Sequence, residues 1–319
     1  MGTENQMVTA HAPGRICLLG DNVDLIEEPV LAAAISAFLT VTLLPRADRR
    51  IRLTAADIGF REEFELGDTP ALTSPLRYLE AIILRLQPYI TTGFEASIHS
   101  EIPVSAGMSS STALCIGFLR ALNQAFHIGL DTAEIAELSY RIEREDLNIE
   151  CGRMDQYAIA FGGVTFIHTG DLPSVENIPV QSLPVVVADT QESHNTQELQ
   201  LWLQDRLRAN DPVLVQSLQR VTKMVSHGRQ ALLDGDLVSL GKLMNQQQLE
   251  ENIMGTATER LNLFCETARQ AGAWGVKQMG AGGGGCAIAL CPPDSLVQVQ
   301  DALKTHHAPV WIFEIYRNQ

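Results

Sequence analysis

The chain has 319 residues, 45% of them hydrophobic and 19% charged, enough for a large core in one large or two medium domains. Its 38 acidic against 23 basic residues give a net charge of −15, which argues against nucleic acid or an anionic membrane surface as a main partner. No segment approaches a membrane span, the N-terminus lacks a signal-peptide pattern, and the six scattered cysteines (Cys17, Cys115, Cys151, Cys265, Cys286, Cys291) read as reduced thiols, so a cytoplasmic protein is expected.

Ile16–Leu19 reads as a buried strand, followed at once by Asp21 and Asp24. Pro29–Ile35, Phe38–Leu44, Ile51–Leu53 and Glu63–Leu66 fit further strands, giving an early antiparallel sheet. The cluster Arg46, Arg49, Arg50, Arg52 is a solvated strand and turn. Ser74-Pro75 opens a helix with Leu76, Leu79, Ile82, Ile83 and Leu86 on one face, closed by Pro88. Phe94–Ser100 alternates like a strand and leads into Glu101–Ala113, EIPVSAGMSSSTA. From Ser109 to about Phe126 the chain is apolar on most sides and predicts a buried helix. Asp131 and Glu134 form a capping box for the next helix, and Val164–His168 is a strand. Gly, Asp, Pro and Ser cluster near residues 170–183, and the expected division is 1–172 and 173–319. The second part begins with the strand Val185–Ala188, continues through helices over about 197–272 broken near Asp234-Gly235, and passes the run Gly280–Gly285. The strand Cys286–Leu290, a helix near 294–304 and a last strand, Val310–Tyr316, close it.

Four polar clusters fall at strand ends or helix starts. At 107–112, glycine and hydroxyls open a helix, whose first turn carries unpartnered N–H groups and partial positive charge suited to phosphate. Asp155 lies in a glycine-flanked loop. Arg15 stands near Asp21 and Asp24. The run Gly280–Gly285 offers bare backbone, as a second phosphate or an adenine wall requires. Neither a G-x-x-x-x-G-K-[ST] sequence nor an early G-x-G-x-x-G is present, which disfavours P-loop and dinucleotide folds.

Three ordered motifs resemble the GHMP small-molecule kinases, a family that includes galactokinase, homoserine kinase, mevalonate kinase and phosphomevalonate kinase. They are Ala12–Asp21, Pro103–Ala113 and Lys277–Cys286. The resemblance implies an α+β, two-domain fold, with an N-terminal domain like ribosomal protein S5 domain 2 and a ferredoxin-like C-terminal domain. ATP lies in the cleft between them. It implies catalytic Asp155 and Arg15. For ATP it implies Pro103, Ser105, Ala106, Gly107, Met108, Ser109, Ser110, Ser111, Thr112, Gly282 and Gly283. Ser111, with Ser110 as its alternative, and Glu143 would bind magnesium, with Glu145 and Asp146 as rivals to Glu143. Ser109 caps the helix. The acceptor falls to Asp21, Asn22, Asp24, Asp155 and Gly283.

Subfamily marks divide. Gly152–Gly163 looks like the sugar-kinase branch, and Asp21–Asp24 is similar to the Glu-His-x-Asp of galactokinases, with Asn22 and Glu27-Glu28 departing from that pattern. Glu28–Ile35, Asp189–Thr196 and Gly280–Cys286 look like mevalonate kinase, with His194 as a cation for a substrate carboxylate. A sugar or sugar-acid kinase is expected. The alternatives are a mevalonate kinase and a non-catalytic ligand sensor. A homodimer is compatible with the resemblance.

Overall fold

A computed structural model describes residues 6–103, 107–192 and 196–317. Its longest strands pair first: β1 (Val8–Leu19) runs antiparallel to β2 (Val30–Pro45). The two apolar runs read at 29–44 are one strand of 16 residues. Its first six residues are all buried, whereas the later ones alternate. Continuous burial means both faces are covered, and alternation means one face meets solvent. The doubly covered half lies where the rest of the chain packs on the back of the first sheet.

β3 (Arg50–Ala55) pairs with β4 (Phe60–Glu65), and after α1 (Arg77–Leu86) the strand β5 (Phe94–Ser100) lies parallel to β3 and antiparallel to β2. The arginine cluster of this region is neutralised in place. Arg46 bonds Asp48 and Glu95, and Arg52 bonds Glu63 and Glu95. Helix α2 (Ser110–Ala125) packs against β1 and β2. Helix α3 (Thr132–Arg141) starts in the expected Asp131–Glu134 capping box and runs into a π-turn, Ile142–Asp146. α4 (Met154–Phe161) and β6 (Val164–His168) follow, with β6 on the first half of β2.

The chain continues past the division expected at 172/173 without leaving the first sheet. β7 (Ser174–Ile178) pairs antiparallel with β6 and so completes the first sheet. Beyond it comes β8 (Val185–Asp189), then the helices α5 (Thr196–Arg208), α6 (Pro212–Leu233), α7 (Leu237–Met254) and α8 (Glu259–Gln270). Strands β9 (Gly275–Gln278) and β10 (Cys286–Leu290), helix α9 (Leu296–Lys304) and strand β11 (Val310–Phe313) close the chain. The four strands lie in the order β11-β8-β10-β9, all pairs antiparallel. With helices between β8 and β9 and between β10 and β11, this is the ferredoxin-like arrangement.

The last strand stops at Phe313, short of the expected Tyr316, and the tail then returns to the first sheet. Ser36 N donates to Glu314 O (3.0 Å) and Tyr316 N to Ala34 O (2.9 Å). Helices α6 and α7 cover the back of β1 and β2. Among the described residues, no helix is long and apolar enough to cross a membrane.

Candidate active site

Arg15 leaves β1 where that strand is buried on both faces, so its side chain is enclosed. It meets Asp155, which sits on the first turn of α4 rather than in a loop. The contact is a fork: Nε donates to Oδ1 (2.7 Å) and an η nitrogen to Oδ2 (2.9 Å). The third guanidinium bond goes to the carbonyl of Gly107 (2.5 Å). Burial works against the Arg15 charge, but Asp155 outweighs it and raises the guanidinium pKa. The carboxylate therefore faces the cavity held in one orientation by a permanent cation. α4 itself is anchored from below: Arg153 donates to Glu137 (3.0 Å) and lies 4.1 Å over the ring of Tyr140, and Tyr157 donates to Glu137 (3.0 Å).

At the start of α2, Gly107 and Ser109 both take left-handed backbone, φ 69° and 57°. For serine this costs energy and marks a constrained site. Ser109 occupies the cap position, but its hydroxyl donates to Asp155 Oδ2 instead of to the helix. The expected capping role is thus corrected: the hydroxyl orients the carboxylate. Gly107 also approaches the second glycine loop, because a Cβ there would lie 3.5 Å from Met279 O.

Between these loops lies a cavity of about 370 Å³. The α2 turn (Gly107, Met108, Ser109, Ser110, Ser111, Thr112) forms one wall and Met279, Gly280 and Ala281 another. Arg15, Asn22, Asp24, Glu143, Glu150, Cys151 and Asp155 bring the polar chemistry, and Gln197 and Gln200 reach in from α5. Arg77 and Tyr78 stand beside Ser111.

Glu143 is buried in the π-turn and accepts from Thr112 Oγ1 (3.2 Å). Its rivals face away, since Arg85 holds Asp146 (2.7 Å) and Glu145 (2.5 Å). Burial, then the nearby Asp155 charge, raises Glu143 to about 7. The same two causes, in the same order, raise Asp24 to about 7. Two carboxylates destabilised as anions beside hydroxyls form a suitable setting for a hard cation. Among the described residues, no three carboxylate, histidine or cysteine side chains gather into a cage.

Several expected positions are not in the cavity wall. Pro103 precedes it. Gly282 is pressed on Thr256, whose carbonyl would lie 2.3 Å from a Cβ, and Gly283 N donates to Thr256 O (2.7 Å). Gly280 and Ala281 are the loop residues that reach the cavity. Asp21, expected to hold the acceptor, is fully buried and bonded to Lys277. Ser105, Ala106 and His194 lie outside the described residues. Lys277, at the head of the glycine run, is buried against Asp21, a pairing the sequence did not reveal.

Comparison with known proteins identifies the family. The description "GHMP kinases N terminal domain" matches residues 77–163 and "GHMP kinases C terminal" matches 229–308. A mevalonate kinase of Pyrococcus furiosus is 30% identical, covering 97% of this chain and 96% of that protein. The chain belongs to the GHMP kinase family. It is an ATP-dependent small-molecule kinase. A galactokinase of the same organism is 27% identical over 93% of this chain and 92% of its own length. The crystal structure of Lactococcus lactis galactokinase complexed with galactose superposes with TM-score 0.85, covering 100% of this chain and 96% of that one. At 21% identity that likeness speaks for the two-domain fold and not for the acceptor.

Proposed function

We propose that this kinase transfers the γ-phosphoryl group of ATP to a hydroxyl of mevalonate. The observation that carries the acceptor is the 30% identity to a mevalonate kinase along 96% of that protein's length. This reverses the preference for a sugar drawn from the sequence motifs. Arg15 and Arg77 are the cations on the described cavity wall. Because Arg15 is committed to Asp155, Arg77 is our candidate for meeting the acceptor carboxylate.

Phosphoryl transfer needs positioning and charge neutralisation more than covalent help. Asp155 takes the proton of the acceptor hydroxyl as it attacks. Arg15 and Ser109 keep that carboxylate aimed, and Arg15 offsets charge on the transferred group. The first-turn N–H groups of α2 receive the phosphates. Glu143 and the Ser111 hydroxyl would hold magnesium, which supplies further neutralisation of phosphate charge when bound.

A second reading, a neutral sugar or sugar acid, is favoured by Asp24. This half-buried carboxyl on the cavity wall is suited to several hydroxyl bonds. ATP consumption against mevalonate, galactose and a panel of sugars and sugar acids separates the two. Turnover of mevalonate alone is the expected result. Turnover confined to a sugar would replace the acceptor, and binding without turnover by any acceptor would favour a sensor.

A further inference from the structure

One buried cluster is left unused by the reaction. It joins the end of β1 to the glycine loop after β9. Asp21 Oδ2 accepts from Lys277 Nζ and from Gln247 Nε2 (3.0 Å), and all three side chains are completely buried. The other oxygen, Oδ1, accepts from the backbone N of Gly280 (2.6 Å). The chain of bonds continues along α7. Gln247 also donates to Glu251 (3.1 Å), and Glu251 accepts from Thr256 Oγ1 (2.5 Å) and Gln278 Nε2 (3.1 Å). Thr256 then accepts from Gly283 N (2.7 Å) through its carbonyl. The glycine loop is thus gripped twice, at Gly280 by Asp21 and at Gly283 by Thr256, with the two grips linked through Gln247 and Glu251.

We propose that Asp21 is a positioning residue whose carboxylate, balanced by Lys277, clamps the glycine loop so that Gly280 and Ala281 form the ATP-facing wall. The inference rests on reading the cavity as the nucleotide site. A loop of bare glycine backbone has many conformations to lose on binding. An acceptor fixed in the core selects one of them before the nucleotide arrives, so binding is tighter. Lys277 is required because a lone buried carboxylate would neutralise or draw in water. The clamp also explains why Asp21 does not touch the cavity although it lies three residues from Asp24, which does.

The test compares two double variants that both remove the buried charge pair. Asp21→Asn with Lys277→Met keeps an oxygen acceptor for Gly280 N, whereas Asp21→Ala with Lys277→Met does not. ATP with magnesium is titrated into each by calorimetry, and melting temperature is recorded in parallel. The alanine pair is expected to bind ATP about tenfold more weakly than the asparagine pair, the size of one hydrogen bond to a well-placed acceptor. Both variants lose the Lys277 charge beside the buried Glu251 alike, so that loss cancels in the comparison. Equal ATP affinities would overturn the clamp, as would a difference seen only in melting temperature or only in acceptor KM. Wild-type chain that takes up no ATP would overturn the nucleotide reading, and the clamp with it.

Discussion

Asp155 carries three bonds in this structure, two from Arg15 and one from Ser109. An acceptor-only carboxylate so held is ready to take a proton but not free to rotate. Asp155→Asn keeps the shape and places an NH₂ where the reaction needs a base. We expect kcat to fall on the order of 10²–10⁴-fold, with the far-UV spectrum unchanged. Near-wild-type turnover in a coupled ADP-release assay would remove Asp155 from the mechanism. Glu143 gives a second prediction. Its raised pKa means the folded state holds the proton more tightly than the unfolded chain does. The resulting stabilisation is complete below the usual carboxylate range and is lost as pH rises through about 7. In ligand-free protein the melting temperature should therefore decline over that window, and less steeply in Glu143→Gln. Magnesium favours the ionised form, so ATP-dependent stabilisation should strengthen with pH in wild type and lose that trend in the variant. An identical pH profile for the two proteins would show that the shift does not originate at Glu143.

The helices and strands around the site are placed by close backbone approach as much as by side-chain packing. α7 lies against β9 with so little space that a Cβ on Gly275 would sit 1.9 Å from the Gly241 carbonyl oxygen. That approach brings Gln247, Gln248 and Glu251 to the glycine loop. Gly275→Ala should lower stability by about 1–3 kcal/mol through forced separation of helix and strand. Urea unfolding that matches wild type would mean the contact relaxes without cost. Elements with a local code were readable in the sequence. The Asp131–Glu134 box sets α3, and the break at Asp234-Gly235 separates α6 from α7 as expected. β7 was not readable because its sequence, SVENI, is short, polar and mostly solvent-facing, and only its pairing with β6 makes it a strand. At the site, Arg15, Asp155 and Glu143 were reached through the family resemblance, and the structure brings them to one cavity. The true work of Asp21 was hidden because its partner, Lys277, is 256 residues away. Two charges that remote carry no mark of mutual burial in a linear sequence.

Across the whole molecule, the main core is shared by the two sheets. One apolar cluster contains Ile16, Leu31 and Phe118 from the first half together with Val225, Leu240, Val187 and Ile288 from the second. A smaller cluster, including Phe264, Cys265 and Val299, lies with the second sheet and its helices. The larger core crosses the boundary, the tail at 314–316 is stitched back to β2, and the Asp21–Lys277 pair is buried between β1 and β9. Neither half can open without exposing apolar surface and a charge pair belonging to both. The chain should accordingly unfold in one cooperative step despite its two-domain architecture, with calorimetric and van't Hoff enthalpies in agreement. ATP, which bridges loops from both halves, should shift that single transition upward as a unit. Two resolved transitions, with only one moved by ATP, would mean the halves are thermodynamically independent and the shared core contributes little to their coupling.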